Sequence, residues 1–278
     1  MKEKEFDNIL IVSDMDGTFL GDRARVVQRN LDAIEKFKAR GGKFTFATGR
    51  THHNITKAVG SVSDVANAPA ITVNGACIYD FAAGKSVGDV KIDCRDVIRI
   101  ARYIRENFSD VGMRCSTDYG FLTDRACGLI AKDFDGFLCD GCGEAKIMSI
   151  DEWEDQTVYK IVFRGEADEL LDLRQKLEPI FSEKFKFVTS SPRFLELNAI
   201  GCSKAVGVEF LRGYFGGNVT IYAVGDYEND IEMLRAADFS VCPQNSLDSV
   251  KAISDFCLCD CNEGTIADLY ENIICKNG

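Results

Sequence analysis

Short apolar runs alternate with helical patterns over roughly the first 80 residues, break off, and resume after residue 190. Such alternation is the sequence form of a parallel sheet covered by helices, because crossover helices bury both faces of the strands they connect. "ILIV" (9–12) reads as a fully buried strand. Residues 26–40 place Leu31, Ile34 and Phe37 on one helical face, and Gly41 and Gly42 supply a C-terminal stop. "KFTFA" follows as a second strand, then a short helix near 53–60, then "AITV" (70–73) as a third. After residue 190 come a helix ("SKAVGVEFLRGYF"), a buried strand ending in an acid ("VTIYAVGD"), a helix ("DIEMLRAA"), a strand ("FSVC") and a closing helix ("TIADLYENIIC"). The stretch between reads differently: "RDVIRIARYIREN" as helix, "TVYKIVFRG" as strand, "ADELLDLRQKLEPIF" as helix and "KFKFVTSS" as strand. That order predicts an independent α+β layer with an antiparallel sheet.

Length agrees with two unequal domains, since 278 residues are many for one core and few for three. With 46% hydrophobic and 28% charged residues and no apolar run approaching the about 18 that span a bilayer, the chain reads as globular and not membrane-embedded. "MKEKEFDN" has no apolar stretch ahead of the first strand, so no secretory signal is expected and the expected location is the cytoplasm. A net charge of -11 with no basic stripe disfavours nucleic acid and anionic lipid as partners. An anionic ligand would need cations gathered locally against that field.

Twelve cysteines in such a chain read as reduced thiols. Cys139 and Cys142 form a lone C-x-x-C with Cys115 and Cys127 upstream. The second close pair usual in structural zinc sites is absent, which disfavours a metal there. "CLCDC" (257–261) alternates as a strand would, with its thiols expected on one face as small buried hydrophobes.

Ligands of open α/β sheets bind at the carboxyl ends of the strands. Here the first strand ends in Asp14, Met15 and Asp16, the second in Thr48, Gly49 and Arg50, and a late one in Gly225 and Asp226, with Asn229 and Asp230 close behind. If these strands are neighbours, several carboxylates converge, which mutual repulsion forbids unless a cation sits among them. A hard divalent ion bound by oxygens fits, and magnesium is the usual one beside phosphates. The i, i+2 spacing of Asp14 and Asp16 aims both side chains the same way, leaving Met15 to offer its carbonyl. One carboxylate can then attack phosphorus while the other manages protons. Gly17 permits a tight turn, and Thr18 is expected to cap it by bonding backbone amides.

"SDMDGT", "ATGR", "GCSK" and "GDYENDIEML", in that order, resemble the four motifs of the haloacid dehalogenase superfamily of phosphatases. The large insertion after the second motif, with "NGA" after the third strand, resembles the Cof-type sugar phosphatase subfamily. The expected fold is then α/β: a Rossmann-like doubly wound parallel-sheet core over 1–82 and 191–278, with an inserted α+β cap domain over 83–190. The resemblance implies that Asp14 is the nucleophile, forming an aspartyl phosphate, and that Asp16 protonates the leaving oxygen and later takes a proton from water. Asp16 would need crowding or burial to hold that proton near neutral pH. Phosphate binding falls to Met15, Thr48, Gly49, Lys204 and Asn229. The metal, Mg2+, falls to Asp14, Asp226 and the carbonyl of Asp16. Asp230 orients Lys204 or a metal-bound water, and Arg50 and Asn74 stand behind the site. His52 and His53 are expected in solvated or capping roles. Where relatives often read close to "MGNA", "CPQNS" keeps Asn245 and Ser246 for capping the next helix, and Pro243 stiffens the approach.

The leading expectation is a magnesium-dependent hydrolase of a small phosphorylated metabolite, most simply a sugar phosphate. A phosphosugar mutase on the same core and a non-catalytic phospho-acceptor module are the alternatives. The second acid two residues after the first counts against the acceptor module. The sequence names neither the metabolite nor the oligomeric state, and specificity is expected around 110–140 and 158–190.

Overall fold

Strand Ile9–Ser13 is the line about which the first part of the chain winds. On one side it pairs in parallel with Lys43–Phe46, and on the other with Thr220–Val224, which pairs in turn with Phe239–Pro243 and that with Phe256–Leu258. The chain builds outward to one side, leaves, and returns to build outward to the other. The reversal falls between Ile9–Ser13 and Thr220–Val224, where Ser13 is level with Val224. A doubly wound sheet opens its crevice at such a reversal, so the topology itself puts Asp14 and Asp226 at the mouth.

The computed structural model describes residues 5–125 and 144–277. They form two compact units, one of Met1–Gly49, Ala58–Gly88 and Ser203–Gly278, the other of Arg50–Lys57 and Asp89–Cys202. In the first unit, alternate strand residues serve opposite faces. Leu10, Val12, Ile221 and Ala223 pack under helices Lys204–Tyr214 and Ile231–Ala236 through Val208, Leu211, Met233 and Leu234, all nearly or fully buried. Phe44 and Phe46 belong to an aromatic layer with Phe19, and Phe37 of helix Gln28–Ala39 packs tilted against Phe6 and edge-on to Tyr270. The helix stops where expected, with Gly41 at φ 103°.

"AITV" is the expected third strand in part, meeting the second in parallel where Ile71 bridges Ala47. Only Ala70–Thr72 is extended, and it turns back as an antiparallel hairpin onto Cys77–Asp80, touching the main sheet through a single bridge from Ile71 to Ala47. "CLCDC" departs from the expected strand. The strand ends at Leu258, with Cys257 exposed, Cys259 half-buried and only Cys261 buried, because Asp260 bonds the Asn262 amide and starts a 3-10 turn. The three thiols therefore do not share a buried face.

The second unit carries a six-stranded sheet in the order Glu144–Ile147, Gly120–Thr123, Gly112–Thr117, Val158–Arg164, Phe194–Ala199, Phe185–Ser191. It is antiparallel except for its first pair, which is parallel. Helices Cys94–Asn107 and Ala167–Phe181 bury Val97, Ile100, Ile104, Leu170, Leu173 and Leu177. Phe194–Ala199 lies inside this sheet, bonded to strands on both sides, so the first unit resumes at Ser203 and not at 191. Cys115 is buried in Gly112–Thr117 with its thiol pushed up by burial. Cys127, Cys139 and Cys142 lie outside the described residues. Among those described, no helix is long and apolar enough to cross a membrane.

Candidate active site

The end of the first strand is fixed by its neighbour: the Asp14 amide donates to the Val224 carbonyl at 2.8 Å. Asp14 is thereby held beside the loop that begins at Gly225. Its Oδ1 accepts from Lys204 Nζ at 2.6 Å, and the same ammonium reaches Asp230 Oδ1, also at 2.6 Å. Lys204 is the first residue of its helix, whose N-cap Ser203 accepts from the Val206 amide, so helix start and side chain bring positive charge to one place. Its side chain is 1% exposed. A cation buried that far requires partners, and here there are two.

Asp230 does more than hold lysine. Its second oxygen accepts from the amides of Asp226 at 3.0 Å and Tyr227 at 3.1 Å. Both oxygens are engaged, which suits a positioning group better than a metal ligand. Among the described residues Asp226 is tied through Oδ1, which accepts from Thr18 Oγ1 at 2.7 Å. Thr18 thus serves the late carboxylate, not the backbone amides of its own turn as expected.

Ligand oxygens of Asp14, Asp226 and Asp230 lie within 4.8 Å of one another. Three carboxylates and one ammonium leave a formal charge of -2 in a largely buried crevice. Burial pushes the Asp14 carboxyl up to about 7, against the pull of Lys204, with Asp230 and Asp226 adding to the rise. Burial likewise lifts Asp226 to about 6, opposed by the Thr18 hydrogen bond. Burial alone would lower the Lys204 ammonium, but Asp14 and Asp230 outweigh it and its pKa is raised. The site is therefore short of positive charge, and a divalent ion on the oxygens of Asp14 and Asp226 not engaged by Lys204 and Thr18 would supply it. The donor set, all hard oxygens, fits magnesium.

Gly17 closes this corner. It adopts φ 80°, and a Cβ there would stand 2.6 Å from Asp226 Oδ2, so glycine is required both by conformation and by space. Asn245 pins the turn, donating to the Gly17 carbonyl at 2.8 Å and accepting from the Cys261 amide at 3.0 Å. It does not cap the following helix, Asp248–Lys251, whose N-cap is Leu247. Met15 is fully buried, and its carbonyl accepts from the amides of Thr18 and Leu20, so it is engaged in the turn instead of being offered to a ligand. Asp16 is exposed, without the burial expected for it.

Thr48 is buried at the next strand end, its amide bonded to Ile71 and its carbonyl to the Asn74 amide. Gly49 follows, where an added Cβ would stand 3.0 Å from Asn74 Oδ1. Asn229 is exposed beside Asp230. Arg50 belongs to the second unit, where it reaches the Asn54 carbonyl at 3.5 Å. His52 is buried, not solvated, and burial next to His53 lowers it to about 4, a neutral imidazole at ordinary pH. His53 Nε2 lies 3.1 Å from the Asp118 carbonyl.

Comparison with known proteins follows the same lines. The family profile of the haloacid dehalogenase-like hydrolases matches residues 11–269. An HMP-PP phosphatase of Klebsiella pneumoniae is 27% identical over 247 residues, covering 87% of this chain and 86% of that protein. A chloroplastic endoribonuclease YBEY of Arabidopsis thaliana is 29% identical over 268 residues, 88% of this chain, which spans only 43% of that longer protein. Among solved structures, a haloacid dehalogenase-like hydrolase of Bacteroides thetaiotaomicron superposes with a TM-score of 0.82 at 22% identity, covering 95% of this chain and 99% of that one.

Proposed function

The chain belongs to the haloacid dehalogenase-like hydrolases, and from that membership and the geometry above we propose that it is a magnesium-dependent phosphatase of small phosphorylated metabolites, with sugar phosphates the first class to try. The observation that carries the reading is Lys204 bridging Asp14 and Asp230 beside Asp226. An anion is welcome in so acidic a protein only where positive charge has been concentrated, and here Lys204 together with a divalent ion on Asp14 and Asp226 would supply it. The phosphatase relative supports the reaction class. The endoribonuclease name carries less, since more than half of that protein has no counterpart in the match.

In the proposed reaction Lys204 orients the Asp14 carboxylate through Oδ1, and that carboxylate attacks phosphorus. The ester bond breaks as Asp16, which must take up its proton when bound substrate covers it, gives that proton to the leaving oxygen, and the phosphoryl group rests on Asp14. Asp16, now ionised, takes a proton from water, which attacks the same phosphorus and releases phosphate. Thr48, Gly49, Lys204 and Asn229 would hold the phosphoryl oxygens. Magnesium, held by Asp14, Asp226 and the Asp16 carbonyl, would keep Asp14 ionised and neutralise phosphoryl charge. The second unit is assigned as the cap that selects the leaving group. The direct test is a panel of phosphorylated metabolites assayed for inorganic phosphate with magnesium and no bisphosphorylated activator. Release from several is expected. No release from any, including p-nitrophenyl phosphate, would defeat the reading.

The two raised carboxyls set a pH dependence. Their folded values, about 7 for Asp14 and about 6 for Asp226, lie above the ordinary 3.8, so the fold holds these protons more tightly than the unfolded chain does. Their contribution to metal-free stability is full below pH 3.8 and is lost as pH rises through about 6 and then 7. Magnesium must displace the same protons, so its affinity should rise about tenfold per pH unit for each proton released, and level off above neutrality. Calorimetric titration at several pH values between 5 and 8 checks this. An affinity independent of pH would contradict it.

A further inference from the structure

The hairpin turn Val73–Gly75 is unusual in a way the proposed chemistry does not use. Three consecutive residues have left-handed φ: Val73 at 51°, Asn74 at 56° and Gly75 at 90°. For a β-branched residue such as Val73 this is a true outlier, and each non-glycine position costs on the order of 1–3 kcal/mol. Such a turn survives only where its surroundings over-determine it. They do so on two sides. The Asn74 amide donates to the Thr48 carbonyl at 2.9 Å, and a Cβ on Gly75 would stand 2.2 Å from the Ser203 carbonyl oxygen, so the turn is pressed against the backbone that starts the Lys204 helix.

The side chain of Asn74 is the part left over. Its Oδ1 is buried with no hydrogen-bond partner among the described residues. A buried acceptor without a donor is unfavourable, and a fold keeps one only for a reason. The carboxamide lies against Gly49: a Cβ built there would meet Asn74 Oδ1 at 3.0 Å and Nδ2 at 3.4 Å. A strained turn thus holds a polar, poorly satisfied plate against the peptide that follows Thr48, while its neighbour glycine abuts the residue before Lys204.

We infer that Asn74 is a positioning residue, its carboxamide fixing the Thr48–Gly49 peptide relative to Lys204 so that the phosphoryl group meets both in flight. This rests on the phosphatase reading above. Asn74 does not touch phosphorus in this account. It removes slack from groups that do, which affects the transition state more than the bound ground state.

The test is Asn74→Gly, because glycine accepts the left-handed turn without strain while removing the side chain that carries the carboxamide. With p-nitrophenyl phosphate, kcat should fall about 10- to 100-fold, KM should stay within about twofold, and the unfolding temperature should not fall. Orthovanadate, a five-coordinate mimic of the group in flight, should inhibit more weakly by the same factor as kcat falls, and inorganic phosphate should inhibit as before. Wild-type kcat in the variant would overturn the inference, and so would a parallel weakening of vanadate and phosphate, which signals a collapsed site. If the wild-type protein itself hydrolyses nothing, the phosphatase reading fails and this assignment with it. An active wild type with an unaffected variant sinks this assignment alone.

Discussion

Asp14→Asn abolishes hydrolysis of p-nitrophenyl phosphate, with kcat falling by at least about 10⁴-fold, as expected when a nucleophile is removed from a set of groups acting together. The fold should not suffer. Asn keeps an oxygen for the Lys204 ammonium at the position where Asp14 now accepts at 2.6 Å. It also removes a carboxylate that burial already disfavours in its charged form. Circular dichroism and the melting curve of the metal-free variant should match or exceed wild type at pH 7.5. Retained turnover would show that phosphorus is attacked by something other than this carboxylate.

Lys204→Met is expected to injure the fold as well as the reaction. The ammonium is buried between two carboxylates, and Asp230 is completely buried. Removing one partner of a buried ion pair leaves charge without compensation and typically costs about 3–5 kcal/mol. For a chain of this size that is a drop of roughly 10 °C in the unfolding temperature. Activity should be lost with it, since the phosphoryl ligand would lose the ammonium that orients Asp14 and offsets its charge. Differential scanning calorimetry of metal-free protein decides the point. A melting temperature within about 2 °C of wild type would mean that the Asp14–Lys204–Asp230 bridge carries little energy.

The strand ends were readable because parallel sheets write themselves as apolar runs, and acids placed directly after such runs have few structural excuses. Asp14, Lys204, Asp226 and Asp230 converge for that reason, although 212 positions separate the first acid from the second. What stayed hidden depends on partners distant in sequence. Thr18 looks like a turn cap locally, yet its hydroxyl goes to Asp226. Asn245 looks like a helix cap, yet it ties Gly17 to Cys261. The third strand turns into a hairpin at Val73, a residue type that gives no warning of a left-handed backbone. Phe194–Ala199 falls inside the expected core range 191–278 yet pairs in the second unit's sheet, because pairing partners are not written in a strand's own residues. Only the "NG" at 74–75 could have signalled the turn, and that dipeptide is the usual mark of a tight hairpin.

The whole account stands on a phosphoryl group passing through Asp14. Asp16→Asn protein should accumulate that species, because capture from a good leaving group needs no proton but release by water does. Incubated with acetyl phosphate and magnesium, quenched in acid and digested, it should yield a phosphoryl adduct on the peptide containing Asp14, absent when Asp14 is also replaced. An adduct on another residue, or rapid turnover of acetyl phosphate with none at Asp14, would contradict the mechanism at its root.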